Sequence, residues 1–133
     1  MAAYGKDHPN VAIRLNNLAV LLQDSNCFAE AEPLFRRAIS IDEATFGKNH
    51  PAVAGDINNL ACLLHATNRL EEAEPLMQRM VGILVKFTCD SGHQHLHLET
   101  VVGNYLHLLI ELGDTQTEAD DKINKILAPL HDL

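Results

Sequence analysis

The stretch Gly5-Lys6-Asp7-His8-Pro9-Asn10-Val11-Ala12 returns 42 residues later as Gly47-Lys48-Asn49-His50-Pro51-Ala52-Val53-Ala54. Aligning residues 5–42 with 47–84 gives 20 identities in 38 pairs, and most of the other pairs exchange apolar for apolar or polar for polar. No other feature restricts the fold as strongly. A unit of about 40 residues cannot bury an apolar face alone and does so by stacking on copies of itself. Function then belongs to a surface that stacking builds.

Apolar residues in the first unit fall at Val11, Leu15, Leu18, Ala19 and Leu22, a spacing of three and four that paints one stripe on a helix. Pro9 and Pro51 suit the first turn of such helices, where a missing N–H is harmless. After Asp24-Ser25-Asn26 a second helix carries Ala31, Leu34, Phe35, Ala38 and Ile41 inward. Pro33 is tolerated because Ala29, four residues earlier, lies close to the helix start. The second unit repeats the plan with Ile57, Leu60, Ala61 and Leu64, then Leu70, Ala73, Leu76, Met77 and Met80. Asn26 and Asn68 stand where a left-handed residue ends the first helix of each pair. A third unit is degraded. Leu98, Val102, Tyr105, Leu106 and Leu109 precede a turn at Gly113-Asp114-Thr115, and Ala119, Ile123, Ile126 and Leu130 follow it. Aligning Asn104 with Asn59 needs three extra residues before that helix.

The runs Leu15-Asn16-Asn17-Leu18-Ala19, Ala29-Glu30-Ala31-Glu32-Pro33-Leu34-Phe35-Arg36-Arg37-Ala38 and Phe46-Gly47-Lys48-Asn49-His50-Pro51 resemble the 42-residue tetratricopeptide repeat of the kinesin light chain type. The resemblance implies an all-α protein, an α-solenoid of three tetratricopeptide hairpins with about six helices, forming part of a right-handed superhelix. One domain over residues 1–133 is expected, with repeat 1 at about 9–45, repeat 2 at about 51–87 and a degenerate repeat 3 at about 95–130. The small residues that the family places where its two helices touch correspond to Ala19, Ala31, Ala38, Ala61 and Ala73, with Met80 in the slot of a further small residue. Tyr4-Gly5-Lys6-Asp7-His8-Pro9 reads as the tail of a preceding unit, so the chain is expected to be a fragment of a longer array. Ala12, Leu15 and Ala19 are then expected to lack a neighbour, and self-association through uncapped end repeats follows. The last helix, with Asp120, Asp121, Lys122, Asn124 and Lys125 outward, is expected to act as a partial cap.

The resemblance also implies that the first helices of successive hairpins line a concave groove. Turning away from the apolar stripe brings Asn16, Asn17, Val20, Gln23 and Asp24 to the free face, then Asn58, Asn59, Cys62, His65 and Ala66, then Gly103, Asn104, His107, Ile110 and Glu111. A carboxamide both donates and accepts, so a ladder of Asn suits the backbone of an extended peptide. The same side chains could instead tie neighbouring helices together, an alternative that weighs most for Asn17, Asn59 and Asn104. Val20, Cys62 and His107 fill a row where relatives that grip acidic peptides carry Lys or Arg. The expected partner is a protein or peptide segment that is neutral or basic, with one or two apolar anchors. The alternative is a structural spacer or oligomerisation element within a larger multidomain signalling protein.

Composition excludes other classes. Ten basic against eighteen acidic side chains leave a net charge of -8, which repels phosphate backbones and anionic headgroups, so neither nucleic acid nor membrane is expected as partner. With 47% apolar but only 5% aromatic residues and no Trp, small and aliphatic side chains must fill the core. Cys27, Cys62 and Cys89 show no metal-type pairing and point to free thiols in a reducing compartment. No signal-type start or membrane-length apolar run is present, and a cytoplasmic protein is expected. His93, His95 and His97 follow Cys89, yet they lack an acidic or cysteine partner at a paired spacing, and a solvated linker is expected rather than a metal site. His8 and His50 belong to the repeat and precede helix-starting prolines. No phosphate loop, His-Glu-x-x-His or Gly-x-Ser-x-Gly occurs. Cys62 and His65 lie three apart without an orienting third group, so no enzyme and no cofactor are expected.

Overall fold

Two His-Pro steps start the first helices of the first two hairpins. In the computed structural model, which describes residues 8–92 and 97–132, His8 and His50 are N-caps whose Nδ1 atoms accept from the backbone N–H of Asn10 at 3.1 Å and of Ala52 at 3.0 Å. The ring thus satisfies one of the orphan donors of the first turn, and the proline behind it has none to satisfy. Phe46 stacks on His50, with ring centroids 4.6 Å apart, and holds the imidazole in place.

Helices α1 (Pro9–Asp24) and α2 (Phe28–Phe46), α3 (Pro51–Ala66) and α4 (Leu70–Ser91), and α5 (Leu98–Glu111) and α6 (Gln116–Leu127) pack as consecutive pairs, followed by a short 3-10 turn, Ala128–Asp132. The described residues form three helical hairpins joined in series, α2 against α3 and α4 against α5. This is the all-α solenoid that the repeat implies. Each hairpin turn closes in the same way. Asn26 and Asn68 adopt φ of 64° and 61°, and Gly113 takes that place in the third hairpin with φ 109°. The following N–H groups, of Cys27, Arg69 and Asp114, return to the carbonyls of Leu22, Leu64 and Leu109 at 2.7, 2.7 and 3.0 Å. Orphan carbonyls at the helix end are thereby bonded, and only Gly or Asn takes the left-handed residue cheaply.

The three-residue insertion before the third unit lengthens α4. Gly47 ends α2 at φ 91°, but its repeat mate is Cys89, and the stop comes at Gly92 with φ 76°. Pro33 and Pro75 sit inside α2 and α4 without breaking them, each near the helix start. His93 and His95 lie outside the described residues, while His97 is the N-cap residue of α5.

Ala19, Ala31, Ala38 and Ala73 are fully buried and Ala61 nearly so, which lets the paired helices approach closely. Met80, in the slot of a further small residue, is also buried. Enlarging Ala31 or Ala73 to Leu is expected to destabilise by roughly 1–3 kcal/mol through overpacking. Urea unfolding followed by circular dichroism measures this, and an unchanged midpoint would contradict the helix pairing.

Equivalent positions on α1 and α3 meet different surroundings. Leu60 and Leu63 of α3 are fully buried beneath the first hairpin, whereas their mates Leu18 and Leu21 on α1 are 49% and 65% exposed. Ile13 and Val20 extend this open apolar face. Ala12 and Ala19, expected to lie open, are instead fully buried, and Leu15 is half-buried, because these residues turn towards α2. On α6, Asp120, Asp121, Lys122, Asn124 and Lys125 are exposed while Ala119 and Ile123 are buried, which gives the helix a polar outer face. Away from the apolar contacts, the hairpins are tied by Arg69 to Glu32, by Arg79 to Glu43, and by the Tyr105 hydroxyl, which donates to Glu74 at 2.8 Å. The Arg69 guanidinium holds the Glu32 carboxyl below its ordinary value.

Candidate polypeptide-binding groove

Helices α1 and α3 touch, but α3 and α5 do not pack directly, and a groove opens between them. Two adjoining clefts of about 580 and 420 Å3 make up this groove. Asn58 and Asn104 line both and form the saddle between them. In the larger cleft, Cys62 and His65 continue the α3 wall, His107 and Glu111 the α5 wall, and Ala61, Met77 and Leu108 supply apolar surface. The smaller cleft has Ala54, Gly55, Met80, Leu84, Thr100 and Val101 among its lining. Each wall is one helix face, since Ala54, Asn58, Ala61, Cys62 and His65, like Val101, Asn104, His107, Leu108 and Glu111, recur at three and four.

Six residues that the helix wheel turns to the free face therefore meet in one place: Asn58, Cys62, His65, Asn104, His107 and Glu111. Asn17, Val20 and Gln23 of α1 do not line either cleft, and Asn59 is half-buried beside the α3 wall. Asn16 points elsewhere. Its Nδ2 donates to Asp56 Oδ1 at 2.7 Å, so an inter-helix tie of the kind weighed for Asn17, Asn59 and Asn104 occurs at Asn16. Asn58 and Asn104 carry no side-chain hydrogen bond among the described residues, and both line the groove. Met77, Met80 and Leu84 were missed by sequence reasoning, because α4 reaches the groove floor only through tertiary packing. Ala54, Gly55, Thr100 and Val101 were within reach, lying three and four residues before Asn58 and Asn104.

His65 Nε2 lies 2.9 and 3.2 Å from the Glu111 oxygens and bridges the two walls at one end of the larger cleft. Neither lining includes Lys or Arg, so the surface offers acceptors and one carboxylate rather than fixed positive charge. Protein mass around Cys62 raises its thiol above the ordinary value, which keeps it protonated and a poor nucleophile beside His65. No cluster of three or more metal-ligating side chains is present among the described residues.

A family model described as tetratricopeptide repeat matches residues 15–84, which span the first two hairpins from mid-α1 to the middle of α4. The chain belongs to the tetratricopeptide repeat family. Tetratricopeptide repeats are generally protein–protein interaction modules. No curated protein matches the chain. None of the described helices is long and apolar enough to cross a membrane.

Proposed function

We propose that this tetratricopeptide chain is a non-catalytic scaffold, of the kinesin light chain-like type, that holds an extended polypeptide segment in the groove between α3 and α5. The observation that carries this reading is the pair Asn58 and Asn104, two unbonded carboxamides at the junction of two clefts with apolar floors. Such groups bond to peptide backbone irrespective of side chain, while Met77, Leu108, Met80 and Val101 accept apolar anchors. Glu111, and the absence of Lys and Arg from the lining, favour a neutral or basic segment over an acidic one. The protein's own charge of -8 acts in the same direction and disfavours nucleic acid and anionic membranes. A cytoplasmic setting suits the three free thiols.

A structural or oligomerising role is the second reading, favoured by the exposed Leu18 and Leu21. One experiment separates the two. Peptides selected from a random displayed library on the wild-type protein are expected to carry an apolar anchor and few acidic residues. Replacing Asn58 and Asn104 together by Ala should weaken the selected peptides roughly 30-fold, at about 1 kcal/mol for each hydrogen bond lost. Unchanged affinity, with a sedimentation mass that falls on Leu18→Glu/Leu21→Glu, would reject the groove and leave the oligomerising role.

A further inference from the structure

Asp42 of α2 and Asp56 of α3 are only 7% and 5% exposed, although both carry carboxyl groups. They meet in the seam between the first and second hairpins, within hydrogen-bonding reach of one another. Asn16 of α1 donates to Asp56 Oδ1 at 2.7 Å, but the other oxygen, Oδ2, is buried with no donor. Two ionised carboxylates face each other only as acceptors, and at low dielectric they repel strongly. We propose that Asp42 and Asp56 share a single proton, and that losing it as pH rises loosens this seam, making the joint between the first two hairpins pH-sensitive.

Charge nearby does not relieve the pair. Among the described residues the charged group acting on Asp56 is Asp42, and α1 contributes the neutral amide of Asn16. Arg14, the repeat mate of Asp56, is exposed and forms no ion pair with described residues, while Arg69 and Arg79 of α4 end on Glu32, Glu72 and Glu43. A proton on one carboxyl turns the acceptor-to-acceptor contact into a hydrogen bond and removes the repulsion.

The next seam shows that the fold does not need acids here. Leu84 and Val101 occupy the positions corresponding to Asp42 and Asp56, and both are buried and apolar. The two joints of one small solenoid therefore differ in kind. Among the described residues the first joint buries two carboxyl groups and the second two apolar side chains, and this holds whatever the groove binds.

Burial first, then the hydrogen bond and charge of Asp42, push the Asp56 carboxyl up to about 8 from an ordinary 3.8, with the Asn16 bond acting in the opposite direction. The folded state then binds the proton more tightly than the unfolded chain. Stability from this pair is complete below about pH 4, declines as pH rises, and has been lost above about pH 8. Carboxyl 13C NMR on the wild-type protein tests this without mutation, and thermal unfolding at pH 5 and pH 9 tests its consequence. One of the two carboxyl carbons should titrate with a midpoint near 8. The wild-type Tm should fall by roughly 10 °C or more beyond the fall in the Tm of Asp42→Leu/Asp56→Val, which copies the second seam, over that interval. Both carbons titrating near pH 4 would overturn the shared proton. An equal fall in Tm for a folded variant would overturn the pH-sensitive joint.

Discussion

Leu60→Ala is expected to lower unfolding free energy by about 2–5 kcal/mol, and Leu18→Ala, at the same position of the preceding repeat, by less than about 1 kcal/mol. The two residues share type, helix position and sequence context, since both stand in Asn-Asn-Leu-Ala. They differ in what lies above them. Leu60 is fully buried by the first hairpin, and its truncation leaves a cavity between hairpins. Leu18 is 49% exposed, and its truncation mostly removes surface already in water. Urea unfolding of both variants reads the difference as a shift in midpoint at constant slope. Equal losses would mean that the hairpins do not stack in the order described.

Phe35→Ala is expected to cost about 3–5 kcal/mol, a large part of the roughly 5–15 kcal/mol available to a domain. Phe35 is fully buried in the main core, on the face of α2 that carries Ala31 and Ile39. With aromatics at only 5% of the chain, few other side chains have the volume to fill that space. A Phe35→Leu variant should recover most of the loss, because an apolar side chain of similar size refills the gap. Differential scanning calorimetry would show both effects, and a Phe35→Ala variant that melts with the wild type would place this ring outside the core.

Repeat chemistry made the hairpins legible. His-Pro starts, Asn at the left-handed turn position and Ala at close helix contacts each have one physical role, and most of them recur between the first two units. The end of α4 was not legible: repeat 2 was expected to close at about residue 87, whereas α4 runs to Ser91 and stops at Gly92. The groove was half legible. Helix periodicity placed Asn58, Cys62, His65, Asn104 and His107 on one side, but which neighbouring first helices stand apart depends on packing. The α1 and α3 backbones come close while those of α3 and α5 stand apart, joined by His65 and Glu111, so Asn16 ties to Asp56 while Asn58, its repeat mate, faces an open groove. Asp42 and Asp56 were not legible as a pair. They lie on different helices, and their mates Leu84 and Arg14 carry no carboxyl group.

The groove itself is tested most directly by NMR, following the side-chain NH2 signals of Asn58 and Asn104 while a library-selected peptide is titrated in. Binding in the groove predicts that these two signals move together with amides of Cys62, His65 and His107, and that Arg36, Gln78 and Lys86 on the second helices stay still. Shifts confined to the second helices, or to Leu18 and Leu21 at the open face of α1, would contradict it.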